Sequence, residues 1–212
     1  MSLPRLYAVL DTGVAAGRGW TVADLGQAFL DGGAQLIQLR AKHLDARALL
    51  DAADRLVRLA EPAGARIIVN DRADVAAMCG AAGVHVGQED LAPRDARALL
   101  GDRAMIGLST HSPGQVDAAL DEPIDYIAVG PIFATTTKDT GYAAVGLDLL
   151  RRAAKAGSAP RPVVAIGGIT LARAPEVLAA GAASVAVISD LLETGDPTRR
   201  VAEFLAQLSG SG

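Results

Sequence analysis

Hydroxyl and ammonium groups that suit an anionic ligand follow a short apolar segment at residues 127–129. Thr135, Thr136 and Thr137 come after that segment, and Lys138 stands next to them. Hydroxyl donors beside a lysine, on a loop that leaves a buried strand, can bind a phosphate. The alternative is a polar surface loop with one solvated lysine, since most loops are polar.

An amide and two cations alternate after another apolar segment. Gln38 and Arg40 face the same side of a strand, and so does Lys42 if the strand continues that far. An apolar interior does not accept such charges unpaired, because burying a lone charge is costly. A bound anion such as a diphosphate would satisfy both cations, whereas surface salt bridges are the alternative.

Carboxylates follow two further apolar segments, in the sequences Asn70-Asp71 and Glu89-Asp90. Carboxylate oxygens beside a phosphate site suit Mg²⁺, which bridges protein carboxylates and substrate oxygens. Asp71 and Asp90 are therefore the predicted metal ligands. The alternative for each of them is to cap the N-terminus of the following helix.

Small polar groups and glycines end three other apolar segments. Ser109 could donate a hydrogen bond to a phosphate oxygen. Gly167-Gly168 and Ile188-Ser189 follow the last two segments, where exposed backbone N–H groups can hold a phosphate.

The histidines carry weaker signals. His85 lies inside an apolar strand pattern and is predicted to be structural. His111 follows the 105–108 segment and could act as a base, although an exposed loop histidine is the commoner case.

Strands and helices must position these residues. Short apolar runs alternate with helical patterns along the chain, and the predicted strands cover residues 6–10, 36–39, 67–69, 84–86, 105–108, 126–129, 163–166 and 184–188. Thr21, Asp45 and Ser112 stand where helix N-caps are expected. This alternation predicts an α/β protein with a parallel sheet closed into a (β/α)₈ TIM barrel, in which function gathers at the carboxyl ends of the strands. An open doubly wound sheet is the alternative.

Composition narrows the function classes. The chain has 212 residues, of which 50% are hydrophobic and 3% aromatic, so a single domain with an aliphatic core is expected over 1–208, followed by a flexible tail at 209–212.

The single cysteine, Cys79, cannot form an internal disulfide and is predicted to be a small core residue. The net charge of −4 and the lack of a long basic run argue against nucleic acid. Neither a signal peptide nor a membrane span is visible, so a cytoplasmic protein is expected. The expected assembly is a monomer or small homo-oligomer, although the sequence does not reveal the oligomeric state.

Seven motifs in order resemble the thiamine phosphate synthase family from residue 6 to about residue 192. They are Q-L-R-A-K at 38–42, V-N-D-R at 69–72, H-V-G-Q-E-D at 85–90, G-L-S-T-H-S at 107–112, V-G-P-I-F-A-T-T-T-K at 129–138, I-G-G-I at 166–169 and V-I-S at 187–189. The resemblance implies a transferase that joins 4-amino-2-methyl-5-hydroxymethylpyrimidine diphosphate to 4-methyl-5-(2-phosphoethyl)thiazole. The products are thiamine phosphate and diphosphate.

The same resemblance implies roles for individual residues. Those expected to hold the pyrimidine diphosphate are Gln38, Arg40, Lys42, Asn70, Ser109 and Lys138, of which Arg40, Lys42, Ser109 and Lys138 are the expected catalytic residues. Asp71 and Asp90 would bind Mg²⁺. Those expected to hold the thiazole phosphate are Thr135, Thr136, Thr137, a glycine of the Gly167-Gly168 pair, Ile188 and Ser189.

Three positions depart from the family pattern. Ala41 stands where an acidic residue is usual, Ala134 where proline is frequent, and Thr136 where lysine is frequent. A thiazole tautomerase shares the fold but needs neither a diphosphate site nor Mg²⁺, and a phosphate-binding barrel without catalysis is a further alternative. The presence of Arg40, Lys42, Asp71, Asp90 and Lys138 together favours the synthase.

Overall fold

The computed structural model describes residues 3–135, 142–156 and 161–209. In these ranges, eight parallel strands pair in chain order, and β8 pairs with β1 to close a barrel. The strands are Leu6–Asp11 (β1), Leu36–Arg40 (β2), Arg66–Asn70 (β3), Gly83–Val86 (β4), Met105–Thr110 (β5), Tyr126–Val129 (β6), Val163–Ile166 (β7) and Ser184–Val187 (β8). The predicted (β/α)₈ barrel is confirmed, and the open sheet is excluded because the edge strands pair with each other.

Helices follow the strands. They are Thr12–Gly17 (α1), Val22–Asp31 (α2), Ala46–Ala60 (α3), Ala73–Cys79 (α4), Pro93–Leu100 (α5), Pro113–Ala119 (α6), Gly146–Lys155 (α7), Ala174–Ala179 (α8) and Pro197–Ser209 (α9). Short 3₁₀ turns cover Glu61–Ala63, Leu171–Arg173 and Ser189–Leu192. Helix α1 is absent from the sequence prediction. The helix predicted from Leu171 begins instead with a 3₁₀ turn.

The three predicted N-caps anchor the loops that leave the strands. The Thr21 hydroxyl accepts from the Asp24 amide at 3.1 Å, and the Asp45 carboxylate accepts from the Ala48 amide at 2.9 Å. The Ser112 hydroxyl accepts from the Gln115 amide at 3.3 Å. Each bond satisfies a helix N–H that has no partner within the helix.

Two separate apolar layers stabilise the barrel, because alternate strand residues point inward and outward. The inner layer fills the barrel and includes Tyr7, Leu36, Ile68 and Tyr126. The outer layer lies between strands and helices and is largely aliphatic. Cys79 is buried in the outer layer as a free thiol, as predicted.

Within the described ranges, no helix has the length and apolar character needed to cross a membrane. Helix α9 continues through Ser209, one residue beyond the predicted end of the domain. The remaining residues of the predicted tail, 210–212, lie outside the described residues. The division into a 1–208 domain and a 209–212 tail stays a prediction.

Candidate functional site

A cavity of about 590 Å³ opens at the carboxyl ends of the strands, the end where barrel enzymes bind their ligands. Its wall includes residues of the strands β1 to β5 and residues of the loops after β6, β7 and β8. Polar side chains of the strands thus share the cavity with glycines, small polar residues and the charged residues Arg173, Asp190 and Glu193 of the loops. A volume of this size is within the range of small-molecule sites.

The sequence-predicted site residues divide into three groups. Those that line the cavity are Gln38, Arg40, Asn70, Ser109, Thr135, Gly167, Gly168, Ile188 and Ser189. Lys42, Asp71 and Asp90 are described but do not belong to the cavity wall. Thr136, Thr137 and Lys138 lie outside the described residues.

Arg40 is already neutralised by a carboxylate of the chain. Its guanidinium forms an ion pair with Asp11, in which the two side chains are 14% and 8% exposed. The register between β1 and β2 places these two residues opposite each other. Asp11 also accepts from the amides of Gly13 and Val14 at 3.0 Å, so it caps α1 and holds Arg40 at once. Arg40 Nε is buried without a hydrogen-bond partner among the described residues.

A cation and two carboxylates form a cluster beside the cavity. Strand β2 ends at Arg40, so Lys42 does not continue its alternation and instead forms a salt bridge with Asp71. Asp71 has a φ of 65°, which is unusual outside glycine, and its amide donates to the His85 carbonyl at 2.7 Å. Burial raises the pKa of Asp71, and the neighbouring Asp90 carboxylate raises it further, while Lys42 opposes both effects. Neither aspartate is a helix N-cap, because Arg72 and Ala92 occupy those positions.

This donor set fits Mg²⁺ held jointly by protein and substrate. Among the described ranges, no three His, Cys, Asp or Glu side chains lie together in a way that could hold a metal ion. Mg²⁺ is usually bound by one or two carboxylates plus substrate phosphates and water, so a pair of aspartates is enough. Two close, partly buried carboxylates repel each other, and a divalent cation between them would remove that repulsion.

Glycines shape the opposite side of the cavity. Gly167 and Gly168 have φ values of 102° and 63°. A Cβ on Gly167 would lie 2.5 Å from Cβ of Pro131, and one on Gly168 would lie 2.9 Å from Cβ of Phe133. Only glycine therefore fits where the loop after β7 packs against the loop after β6, and this packing leaves the backbone of both residues on the cavity wall.

A buried chain of hydrogen bonds crosses the barrel beneath the cavity. Gln38 Nε2 lies 2.9 Å from the Tyr7 hydroxyl, which lies 3.0 Å from the Tyr126 hydroxyl. Tyr126 lies 3.0 Å from His85 Nδ1, and His85 Nε2 lies 2.9 Å from the Ser109 hydroxyl. Burial raises the pKa of both tyrosines, so both remain protonated donors. The chain thus holds the cavity residues Gln38 and Ser109 through three intervening side chains.

Gly107 makes this chain possible, because a Cβ there would lie 2.0 Å from Cζ of the Tyr126 ring. We expect Gly107→Ala to lower the free energy of unfolding by about 3 kcal/mol, since overpacking a barrel interior forces the ring aside. Gly114→Ala is the matched control, because a Cβ at this α6 position meets no atom within 4 Å. Urea unfolding of both variants checks the prediction, and equal stability of the two would contradict it.

Two residues of this site, Asp11 and Tyr7, escaped the sequence analysis, and two histidines that it discussed also belong to the cavity wall. Asp11 follows the first predicted strand, residues 6–10. The search for carboxylates at strand ends, which singled out Asp71 and Asp90, would have found Asp11 if it had covered that strand. Tyr7 carries no local signal, because its partner Tyr126 is 119 residues away. His85 is buried as expected, yet it also lines the cavity. His111 is half-buried on the cavity wall and stacks on Tyr142 with 4.0 Å between ring centroids.

Comparison with known proteins identifies related chains. The family model for thiamine monophosphate synthase matches residues 6–191. A thiamine-phosphate synthase of Koribacter versatilis is 44% identical over 97% of this chain and 96% of its own length. One of Thermus thermophilus is 41% identical over 98% of each chain. The solved structure of a thiamine phosphate pyrophosphorylase from Pyrococcus furiosus superposes with a TM-score of 0.87 at 30% identity, over 98% of this chain and 96% of that one.

Proposed function

The chain belongs to the thiamine monophosphate synthase family and is a transferase of thiamine biosynthesis, and we propose how its cavity carries out the thiamine-phosphate synthase reaction. The family resemblance read from the sequence is confirmed. The proposed substrates are the pyrimidine diphosphate and the thiazole phosphate named above, bound on opposite sides of the cavity. The single observation that supports this arrangement is the lining of the cavity, to which β2, β3 and β5 contribute Gln38, Arg40, Asn70 and Ser109, whereas the loop after β7 contributes the backbone of Gly167 and Gly168. The part of the wall that carries these two glycines is called the glycine-rich half.

The pyrimidine diphosphate is assigned to the half built by β2, β3, β4 and β5. Gln38 and Ser109 line this half and are fixed by the buried hydrogen-bond chain, so their rotamers are set before a ligand arrives. Arg40 and Asn70 also line the cavity and would contact the diphosphate. Asp71 follows Asn70 in the chain and interacts with Lys42 and Asp90, so this cluster would meet the phosphate end of the substrate.

The thiazole phosphate is assigned to the glycine-rich half. The backbone of Gly167 and Gly168 lines this half, together with Ile188, Ser189 and Thr135. Backbone N–H groups in the loops after strands seven and eight form the phosphate site that recurs in this fold. The two substrates would then approach each other across the cavity with their reactive atoms facing.

The reaction replaces a carbon–oxygen bond with a carbon–nitrogen bond. The bond between the pyrimidine methylene carbon and diphosphate breaks, the diphosphate leaves with the electron pair, and the thiazole nitrogen donates its lone pair to that carbon. Such a step requires positive charge near the leaving group and two aligned substrates more than it requires an acid or a base. Mg²⁺ held by Asp71 and Asp90 would supply positive charge to the diphosphate.

The assignment predicts a requirement for both substrates and for Mg²⁺. Purified protein mixed with both substrates and Mg²⁺ should release diphosphate and form thiamine phosphate, and EDTA should abolish turnover until excess Mg²⁺ restores it. Chromatographic detection of thiamine phosphate, together with a diphosphate assay, measures both. A thiazole tautomerase or a phosphate-binding barrel without catalysis would release no diphosphate. Full turnover in EDTA would remove Asp71 and Asp90 from the proposed site.

The remaining assignments of partners stay predictions. We propose that the protein acts on these small molecules alone, as a monomer or small homo-oligomer in the cytoplasm. The net charge of −4 supports the absence of a nucleic-acid partner.

A further inference from the structure

Arg173 lies on the exposed part of the cavity wall but belongs to none of the motifs that identify the family. It ends the 3₁₀ turn Leu171–Arg173 after β7, is exposed to solvent, and lines the cavity together with Gly167 and Gly168. The loop after β7 carries both glycines and this 3₁₀ turn, and it thereby places Arg173 beside the glycines.

Two contacts hold the Arg173 guanidinium in place. Nη1 donates to the Gly168 carbonyl at 3.0 Å, and the guanidinium carbon lies 4.6 Å from the centroid of the Phe133 ring. A cation over an aromatic ring is stabilised by the ring's negative face. The guanidinium is therefore restrained beside the glycine loop while its remaining N–H groups stay available for another acceptor.

The charge of Arg173 is not neutralised by the described part of the chain. The other arginine on the cavity wall, Arg40, forms an ion pair with Asp11. The acidic residues on the wall are also paired, Asp190 with Arg200 at 2.7 Å and Glu193 with Arg18 at 3.1 Å. Arg173 forms no salt bridge within residues 3–135, 142–156 and 161–209.

We propose that Arg173 is a specificity-determining residue that selects the phosphorylated thiazole over its unphosphorylated alcohol. Its guanidinium contacts the phosphate whose other oxygens face the backbone of Gly167 and Gly168. Guanidinium groups suit this role because their planar N–H pairs match phosphate oxygens and remain charged at all physiological pH values. The inference rests on the proposed function for the identity of the ligand.

The test compares Arg173→Met, which keeps an unbranched stem and removes the charge, with Arg173→Lys. We expect Arg173→Met to weaken binding of the thiazole phosphate about tenfold, the effect of losing one charge-assisted hydrogen bond. Binding of the thiazole alcohol and the KM for the pyrimidine diphosphate should not change. Arg173→Lys should recover part of the loss. Isothermal titration calorimetry measures binding of each thiazole, and steady-state kinetics gives the KM.

The matched control is Arg151→Met, which removes an exposed arginine that pairs with Asp148 on α7 and does not line the cavity. This variant should bind both thiazoles as the unmodified protein does. Added salt should weaken binding of the thiazole phosphate to the unmodified protein and to Arg151→Met more than to Arg173→Met, because an exposed charge is screened.

Two results would overturn the inference. Unchanged binding of the thiazole phosphate by Arg173→Met would show that the guanidinium does not touch the phosphate. An equal loss for the phosphate and the alcohol would show that Arg173 acts only as a structural link between Gly168 and Phe133. The calorimetry needs no turnover, so a protein that binds the thiazole phosphate through Arg173 but forms no thiamine phosphate would refute the proposed function and leave this inference standing.

Discussion

Lys138→Ala lowers kcat by at least about 10²-fold, the cost of removing one group that stabilises charge developing in a transition state. The two described cations nearest the proposed diphosphate site are each already paired, Arg40 with Asp11 and Lys42 with Asp71. The leaving diphosphate therefore needs positive charge beyond these pairs. Lys138 follows Thr135 by three positions, and Thr135 lies on the cavity wall. Steady-state kinetics with both substrates saturating measures the effect.

Lys155→Ala is the matched control, because Lys155 is an exposed lysine in the last turn of α7 and does not line the cavity. Its kcat should equal that of the unmodified protein. Lys138→Arg keeps the charge and should retain more activity than Lys138→Ala. A near-normal kcat for Lys138→Ala would contradict the role of this lysine in stabilising the leaving diphosphate of the synthase reaction.

Asp11→Asn lowers the free energy of unfolding by about 3 kcal/mol, because it leaves the Arg40 charge nearly buried without a counter-charge. The asparagine still caps α1, so this loss reports the ion pair alone. Asp11→Ala removes the cap as well and should cost about 1 kcal/mol more. Urea unfolding, with linear extrapolation to water, measures all of these differences.

The control for this pair is Asp148→Asn, whose salt bridge with Arg151 joins side chains that are 96% and 52% exposed. It should change the free energy of unfolding by less than about 0.5 kcal/mol, because exposed ion pairs contribute little. If Asp11→Asn is as mild as Asp148→Asn, solvent reaches Arg40 more freely than its 14% exposure indicates. Adding Arg40→Met to Asp11→Asn should restore part of the stability, since the uncompensated charge is then gone.

The elements of the fold were predictable because their signals are local. A strand such as β5 is visible as an apolar run, and the cap at Ser112 is visible from the serine-proline pair that begins α6. Helix α1 was missed because it is only six residues long and has too few positions to show helical periodicity. The 3₁₀ turn before α8 was missed for the same reason.

The sequence predicted which residues belong to the site, but it did not predict which of them pair with each other. Strand-end positions identified Gln38, Arg40, Asn70 and Ser109, and the structure brings all four to one cavity. Their partners could not be read in the same way. Arg40 and Asp11 are 29 residues apart, and they meet only because β1 and β2 pair in one register.

The sequence by itself determined the alternation of strands and helices, the order of the family motifs and the polar residues at the strand ends, because each of these depends on neighbouring residues in the chain. Tertiary structure alone decided which charges are neutralised: Asp11 forms an ion pair with Arg40, and Asp71 forms one with Lys42. It also decided that Arg173 reaches the cavity wall without an ion-pair partner in the described ranges. The physical reason is that electrostatic pairing depends on distances in space, and closing a barrel sets those distances between segments far apart in the chain.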